Sequence, residues 1–417
     1  MASTARTIEA DWLTRLPAPS GQLSPVQQRG RESLLAAGLP SRRQEDWRLT
    51  DLDRLQHLLD LPLPASDVAL DNAAFPGTEP EAQSPGWSLL LDGVRNPLDG
   101  VTLPDGVTVL SDTDLQQALG HTLERCGCAS AWPVELNQAI SSQVLALRIR
   151  GSVPPLDLRV TAAGDRLTPT RVLLIVEEKA ELDLVEVIQA DRTSAHSHLL
   201  ELHLGQEAVV RHGVVAFGGG QSSLLAHLAV EQEPRSRYEL ISVARGWSLG
   251  RVEPRVVQVD GQAATVMKGL VLTDQDQQFA THSAIRFEGE EGTLDQLQKA
   301  VAAGRSHCIF NGAVQVPRAA QRTDAAQLSR NLLLSDRARI DTKPELEIVA
   351  DDVRCAHGAT VTQLQEDELF YLRSRGIAAD TAATLLLRGY CQEVVDLLPP
   401  SARRWPVIDQ LLEGLSA

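Results

Sequence analysis

Lysine is nearly absent from this chain. Only Lys179, Lys268, Lys299 and Lys343 occur among 417 residues, so the positive charge is almost all arginine, and acidic residues outweigh it to a formal net charge of −16. That balance has the wrong sign for a nucleic-acid or anionic-membrane surface. Long apolar runs are also missing: none approaches the ~20 residues that span a bilayer. The opening stretch MASTARTIEADW lacks the apolar core of a signal peptide, and its acidic residues weigh against a transit peptide. Five cysteines in a chain of this size make no disulfide framework, which points to a reducing cytoplasm. Two catalytic signatures are absent as well. None of the four lysines sits in a Gly-Lys-Ser/Thr context, which excludes ATP hydrolysis through a P-loop, and no His-Glu-x-x-His occurs.

What is present has the length for two or three domains and, at 43% hydrophobic residues, the composition of a globular protein. Ser24-Pro25-Val26-Gln27 reads as a helix start, with Ser as N-cap, Pro at N1 and Gln at N3, and the helix runs to about Gly38. Residues 61–106 are rich in Pro, Gly and Ser and read as loops with short strands such as 87–91. Residues 111–125 and 134–140 have helical spacing. Beyond Val144 the character changes. Short β-rich runs recur at 145–149, 156–160, 172–176, 182–188, 198–204, 224–230 and 255–259, separated by turns such as Glu177-Glu178-Lys179, Gly205-Gln206-Glu207 and Asp260-Gly261-Gln262. A glycine before an apolar pair recurs unevenly, in Gly213-Val214-Val215, Gly269-Leu270-Val271 and Gly312-Ala313-Val314. Stacked coils explain this pattern, and so does a β-sandwich.

The most informative stretch is 331–390. Leu332, Leu334, Ile340, Leu346 and Ile348 keep strand phase, with Asp341-Thr342-Lys343-Pro344 reading as a turn within the run. Cys355 and His357 follow. At i and i+2 in an extended segment they share a face, and thiolate and imidazole suit iron or a cluster better than a hard cation. One Cys and one His cannot complete a tetrahedral site, and the bland alternative is that both pack at a strand end. From Glu366 the spacing turns helical through Leu369, Phe370 and Leu372, with Gly376 as C-cap. A second helical stripe holds Ala383, Leu386, Leu387, Tyr390, Val394, Leu397 and Leu398, and Pro399-Pro400 ends it. A last amphipathic piece covers residues 407–415.

Other candidates favour bland readings. His196 and His198 share a strand face, with His203 on the other; serines beside them suggest a solvated coil face. His212, His227, His282 and His307 are scattered and read as structural. Cys126-Gly127-Cys128 has a one-residue spacer, shorter than the usual redox and zinc motifs, and reads as an incidental loop pair. Cys308 reads as buried and Cys391 as partly core. Gly218-Gly219-Gly220 reads as a flexible turn. Gly246-Trp247-Ser248-Leu249-Gly250 matches the nucleophile elbow in letters, but Pro254 and a β-rich run follow where the elbow needs a helix. Asp351-Asp352 reads as a solvated turn rather than a glycosidase pair.

Asp341, Lys343-Pro344, Leu346-Glu347-Ile348, Ala350-Asp351-Asp352-Val353, Cys355, His357-Gly358-Ala359-Thr360, Leu369-Phe370-Tyr371-Leu372 and Ser374-Arg375-Gly376 together resemble the SufB/SufD family of iron–sulfur cluster assembly proteins, SufD more than SufB. Gly38-Leu39-Pro40, Arg43, Glu45 and Trp47-Arg48-Leu49-Thr50 resemble its amino-terminal signature, with Leu49 standing where the family usually has an aromatic. The resemblance implies a mainly β fold, a right-handed parallel β-helix core with N-terminal and C-terminal α-helical domains. The expected divisions are residues 1–143, 144–355 and 356–417. It also implies a cytoplasmic scaffold with no catalysis of its own, in a complex with a SufB-like chain and the ATPase SufC. Clusters would be assembled there and passed to apoproteins. The isolated chain would hold no stable cofactor, the cluster being transient, and a homodimer stays open for it. His357, and below it Cys355, are the residues implied at the cluster-assembly interface. Leu369, Phe370, Tyr371, Leu386 and Leu387 are those expected to dock SufC. The rivals are a polysaccharide-acting β-helix enzyme and a SufB-like chain that itself carries the nascent cluster.

Overall fold

The computed structural model describes Trp12, residues 15–64 and residues 86–415. The Pro/Gly/Ser-rich residues 65–85 and the opening residues 1–11 lie outside the described residues. The body is a parallel β-solenoid of about eight turns with helical segments at both ends. Its strands form two stacks. In the first, Trp87–Leu91, Leu156–Ala162, Glu181–Ala190, the first half of Val209–Gln232, the first half of Arg237–Gln258, Ala264–Thr273, Thr293–Ala302, Asp324–Leu333 and Arg354–Thr362 pair in parallel, each with the next. In the second, Leu145–Ile149, Leu167–Val176, Ala195–Leu204, the second halves of the same two long strands, Gln278–Phe287, His307–Val316 and Arg339–Ile348 do the same. Parallel pairing one turn ahead sets the sandwich alternative aside, because sandwich sheets are antiparallel.

The repeat lies in the corners. Lys179, Glu207, Arg235, Gln262, Glu291 and Arg322 all adopt left-handed backbone at φ of 58–61°. In most of these coils the next residue is small and buried: Ala180, Ala208, Ser236, Ala263 and Thr323. A left-handed non-glycine residue costs about 1–2 kcal/mol. The cost is offset because the corner's N–H bonds the corner of the following coil, as in Lys179 N–H to the Gln206 carbonyl (2.9 Å), Glu207 to Pro234 (3.1 Å) and Gln262 to Glu290 (2.8 Å). The glycine repeat read from sequence is not this one. Val214, Ser242 and Gly269 share a column, so Gly213 is one position out of line, and Gly312 belongs to the other stack. The expected turn at Asp341–Pro344 is also corrected: these residues lie inside the strand Arg339–Ile348. Pro344 is tolerated there because that strand is paired on one side only. Gly218–Gly220 and Gly246–Gly250 lie within the long strands where they cross between stacks, and Gly220 (φ 87°) and Gly246 (φ 83°) supply the bend.

Each outer face is covered. Helix Ala379–Val395 and the segment after it lay Leu387, Cys391, Val394, Leu398, Trp405 and Leu411 on the outward residues of the first stack, among them Val187, Val215, Val243, Leu270, Val301 and Leu332. Cys391 is thus wholly core. The buried Lys299 ammonium pins this helix, bonding the Tyr390 carbonyl (2.7 Å) and Glu393 (2.6 Å) and lying 4.0 Å from the Tyr390 ring centre. The chain then runs back along the stack: Tyr390 bonds the Arg330 carbonyl, Pro399 packs beside Gly213, and Trp405 lies under the Arg159 guanidinium. Helices Ser24–Ala37, Leu52–Asp60 and Trp132–Ile140 cover the second stack, packing Leu34, Leu55 and Leu136 near Leu167, Ala195, Leu225 and Leu249.

The histidines correct one expectation. His196 and His198 do not face solvent; they are buried inside the solenoid. Glu186 accepts from the imidazoles of His198 (3.1 Å) and His212 (3.1 Å), which contact Thr170 (2.8 Å) and the Tyr238 hydroxyl (3.0 Å) in turn. Burial alone would raise the Glu186 carboxyl, but the two imidazoles outweigh it and hold it well below the usual carboxylate range. His196 has only carbonyl company, including Gln189 at 3.0 Å, and burial lowers it to about 4. Below pH 6.5 the unfolded chain therefore protonates this residue while the folded one does not, so stability falls with pH until about 4. The wild type is expected to lose roughly 2–3 kcal/mol more than a His196→Gln variant between pH 7 and pH 4.5. Urea unfolding of both proteins at the two pH values checks this, and parallel losses would contradict it.

Candidate functional site at the open end of the solenoid

Among the described residues the last coil has nothing beyond it: there Arg339–Ile348 pairs only with His307–Val316, and Arg354–Thr362 only with Asp324–Leu333, so both leave a row of backbone groups without a strand partner. Ile348, Val349 and Val361 are exposed there. Cys355 and His357 sit in Arg354–Thr362 and share its inward side, as their spacing requires. Cys355 stands in register with the buried Ala325 and packs, half-buried, against the solenoid core. His357 is exposed and ends a column through Leu184, His212, Leu240, Met267, Gln296 and Gln327. The last steps of that column are polar: Gln327 donates to Gln296 (2.8 Å), and Gln296 donates to the Ser283 hydroxyl (2.8 Å). Burial pushes the Cys355 thiol above its ordinary value, so it is protonated near neutrality and would have to lose that proton to bind a metal. Among the described residues no three His, Cys, Asp or Glu side chains converge in a metal-holding arrangement. The site therefore presents two donors at an edge, not a closed cage.

The amino-terminal signature folds onto the same coils. Lys343 of the last coil bonds Glu45 (2.5 Å). Trp47 packs edge-on to Trp132 with ring centres 5.8 Å apart, and the Arg251 guanidinium lies 4.1 Å above its ring. Arg251 also bonds the Asp46 carbonyl (2.8 Å), while Gln278 receives the Asp51 N–H (2.6 Å) and bonds the Leu49 carbonyl (3.0 Å). A cleft of about 230 Å³ remains between the signature and the coils, lined by Glu45, Arg48, His282, Asn311, Asp341 and Lys343. His307, read from sequence only as scattered, bonds Asp341 (2.6 Å) and contacts Gln278 (3.1 Å), joining the signature to the last coil. His282 lies beside Arg251, and burial followed by that guanidinium lowers it to about 3.

The helical residues divide. Helix Glu366–Ser374 has no buried residue; Phe370 is 72% and Tyr371 56% exposed, and Leu369 is half-buried. Leu386 is half-buried. Leu387 is 1% exposed and belongs to the helix–solenoid core, so its expected role as a docking residue is corrected: it holds the helix down.

The sequence model described as "SUF system FeS cluster assembly, SufBD core domain" matches residues 159–390, more than half of the chain. The chain belongs to the SufBD family. A SufBD family iron–sulfur cluster assembly protein of Synechocystis is 33% identical over 387 residues, covering 87% of this chain and 84% of that one. The chloroplastic protein ABCI7 of Arabidopsis thaliana is 31% identical over 412 residues, 93% and 85% of the two chains. The iron–sulfur cluster assembly protein SufD of Escherichia coli is 25% identical over 426 residues, 97% and 96% of the two chains. The SufBD core match spans Cys355, His357 and the exposed helix Glu366–Ser374, and stops at Tyr390, beside the Lys299 anchor. The amino-terminal signature precedes it. His357→Ala is expected to change stability by less than about 0.5 kcal/mol, because the residue is exposed. Trp47→Ala should cost about 3–5 kcal/mol, because it empties the wedge between Trp132 and Arg251. Equilibrium unfolding of both variants checks the contrast.

Proposed function

We propose that this chain is a cytoplasmic scaffold subunit without catalytic activity of its own. In this reading it pairs with a SufB-like chain through its last coil and with a SufC-like ATPase through its carboxy-terminal helices, in a complex that assembles iron–sulfur clusters for transfer to apoproteins. The observation that carries it is the open end of the solenoid: two strands that, among the described residues, are paired on one side only, with Cys355 and His357 on the inward side of Arg354–Thr362. An edge of this kind is completed by strands of a second chain. The cluster is cargo there, not a resident cofactor. Cys355 and His357 offer two donors, so the remaining donors come from the partner. The same edge leaves room for a homodimer of the isolated chain, which the SufB-like partner would displace. Among the described residues no helix is long and apolar enough to cross a membrane. ATP turnover belongs to the partner.

His357→Ala removes a donor near neutral pH and little apolar area. Cluster formation per intact complex is expected to fall while complex yield and melting temperature hold. All three should be measured on one preparation, and normal cluster formation per complex would remove His357 from the role.

The ATPase contact rests on Phe370 and Tyr371, adjacent exposed aromatics on a helix with no buried residue. A Phe370→Asp, Tyr371→Asp double variant is expected to weaken binding of the SufC-like subunit at least tenfold by calorimetry, with an unchanged melting temperature. Truncation at Glu366 is a poorer test, because it would strip Leu387, Val394 and Leu411 from the solenoid and expose the face beneath. Undiminished binding by the double variant would move the contact elsewhere.

A further inference from the structure

Cys126 and Cys128 lie far in sequence from the open end, and their one-residue spacing has a clear local cause. Gly127 at φ 68° ends the helix His121–Arg125. The Gly127 N–H bonds the Glu124 carbonyl (3.0 Å), and the Cys128 N–H bonds the Leu123 carbonyl (2.9 Å). This is a Schellman cap, which makes Cys128 the apolar residue just past the helix, packed with Leu123, Val134, Leu199 and Ala229. Such a cap asks for an apolar residue at position 128. It does not ask for a thiol there, nor for a second thiol at position 126.

The surroundings of the pair are not those of an inert core thiol. Cys126 is partly exposed and Cys128 is buried; the two thiols flank Gly127, the Cys126 thiol reaching the carbonyls of Val230 (3.4 Å) and Arg255 (3.5 Å) and the Cys128 thiol that of Leu123 (3.5 Å). His227 faces Cys128 from the solenoid. It is buried, yet neither ring nitrogen has a hydrogen-bond partner. Glu253 stacks on His227 one coil later, with its Oε2 3.9 Å from the ring Nδ1, and Arg255 bonds Glu253 at 2.7 Å. The Cys126 thiol, then His227 and Arg255, draw Cys128 down to about 5 against the opposing effect of burial. Cys126 is pushed up, by the neighbouring sulfur first and by burial second. The carboxyl end of a five-residue helix opposes a thiolate only weakly beside a guanidinium.

We propose that Cys126 and Cys128 form a redox-active dithiol that closes to a disulfide by exchange with a low-molecular-weight disulfide of the glutathione type, with His227 as the proton acceptor. The proposal is independent of the partners assigned above. In the first step Cys126 leaves its carbonyl partners and its proton passes to the neighbouring Cys128. The sulfur of the partly exposed Cys126 then attacks the small disulfide, an S–S bond forms to one half, and the other half leaves as a thiolate that takes a proton from water. In the second step Cys128 gives its proton to His227, whose charge Glu253 stabilises, and attacks the Cys126 sulfur. The second small thiolate leaves and takes up the proton from His227. The protein is oxidised by two electrons, and one small disulfide becomes two thiols.

The full-length protein should be equilibrated in glutathione buffers of graded poise, quenched in acid, alkylated and mapped by mass spectrometry. The peptide carrying both cysteines is expected to lose two hydrogen atoms in a single two-electron transition, while the buried Cys308 and Cys391 stay alkylatable thiols after unfolding. Cys128→Ser is expected to trap glutathione on Cys126. His227→Phe is expected to slow closure at least tenfold while leaving the rate of glutathione attachment at Cys126 unchanged. A dithiol that persists in excess oxidised glutathione overturns the proposal in the wild type alone, whether or not the variants fold. Stable attachment at Cys126 without closure in the wild type overturns it too, and closure at the wild-type rate in His227→Phe removes His227 from it.

Discussion

Each coil before the last is held by strand hydrogen bonds to the next one, and most are held again at a corner. The corners fix the register. A left-handed residue turns its N–H toward the following coil, and the small residue after it lets the backbones approach. Between Glu181, Val209 and Arg237 the coil advances by 28 residues at each step, and this spacing brings inward side chains into columns. Buried charge inside the solenoid is then satisfied by neighbours across the same coil or one coil away, which is how Glu186 comes to lie between His198 of its own coil and His212 of the next. The same rule has one necessary exception. Among the described residues the final coil has no successor, and the outer backbone groups of its strands have no strand partner.

The proposed function rests on that exception. The residues that tie this chain to its family are not gathered in an enclosed pocket. They lie on the last two strands, on the segment that braces them from the amino terminus, and on a helix that faces outward. In the proposed assembly a second chain would complete such a site. Cys355 and His357 are fixed in spacing by the strand and in direction by the column beneath them, which would lower the ordering cost of meeting a partner's donors in the proposed assembly. Lys343, Glu45 and Trp47 hold the rim in place from the other side, so the amino-terminal segment takes part in shaping an edge formed nearly 300 residues later.

Much of this was legible in sequence, for reasons that can be named. Cys355 and His357 share a face because a two-residue period is a property of any strand, and the helical tail announced itself through Leu386, Leu387 and Val394. The histidines misled because a solenoid interior takes side chains from alternate positions of every strand, and serine neighbours facing the other way say nothing about the inside. Asp341-Thr342-Lys343-Pro344 looked like a turn because proline and aspartate usually end strands; an edge strand forgives both. The true repeat escaped notice because its corner residues, Lys, Glu, Arg, Gln, Glu and Arg, share a backbone conformation and no chemistry. Cys126-Gly127-Cys128 looked incidental because His227, Glu253 and Arg255 reach it only through the fold.

The returning carboxy-terminal segment changes how such a body comes apart. A stack in which each coil touches only its neighbours can fray from its ends, one layer at a time. Here a single strap runs from Tyr390 over the Arg330 strand back past Gly213 to Trp405 beneath Arg159, touching late and early layers alike. Peeling the final layer would loosen that strap and so uncover apolar surface on layers that had not moved. The strap works as a splint: by tying late layers to early ones it favours opening of the whole body over fraying from the last layer.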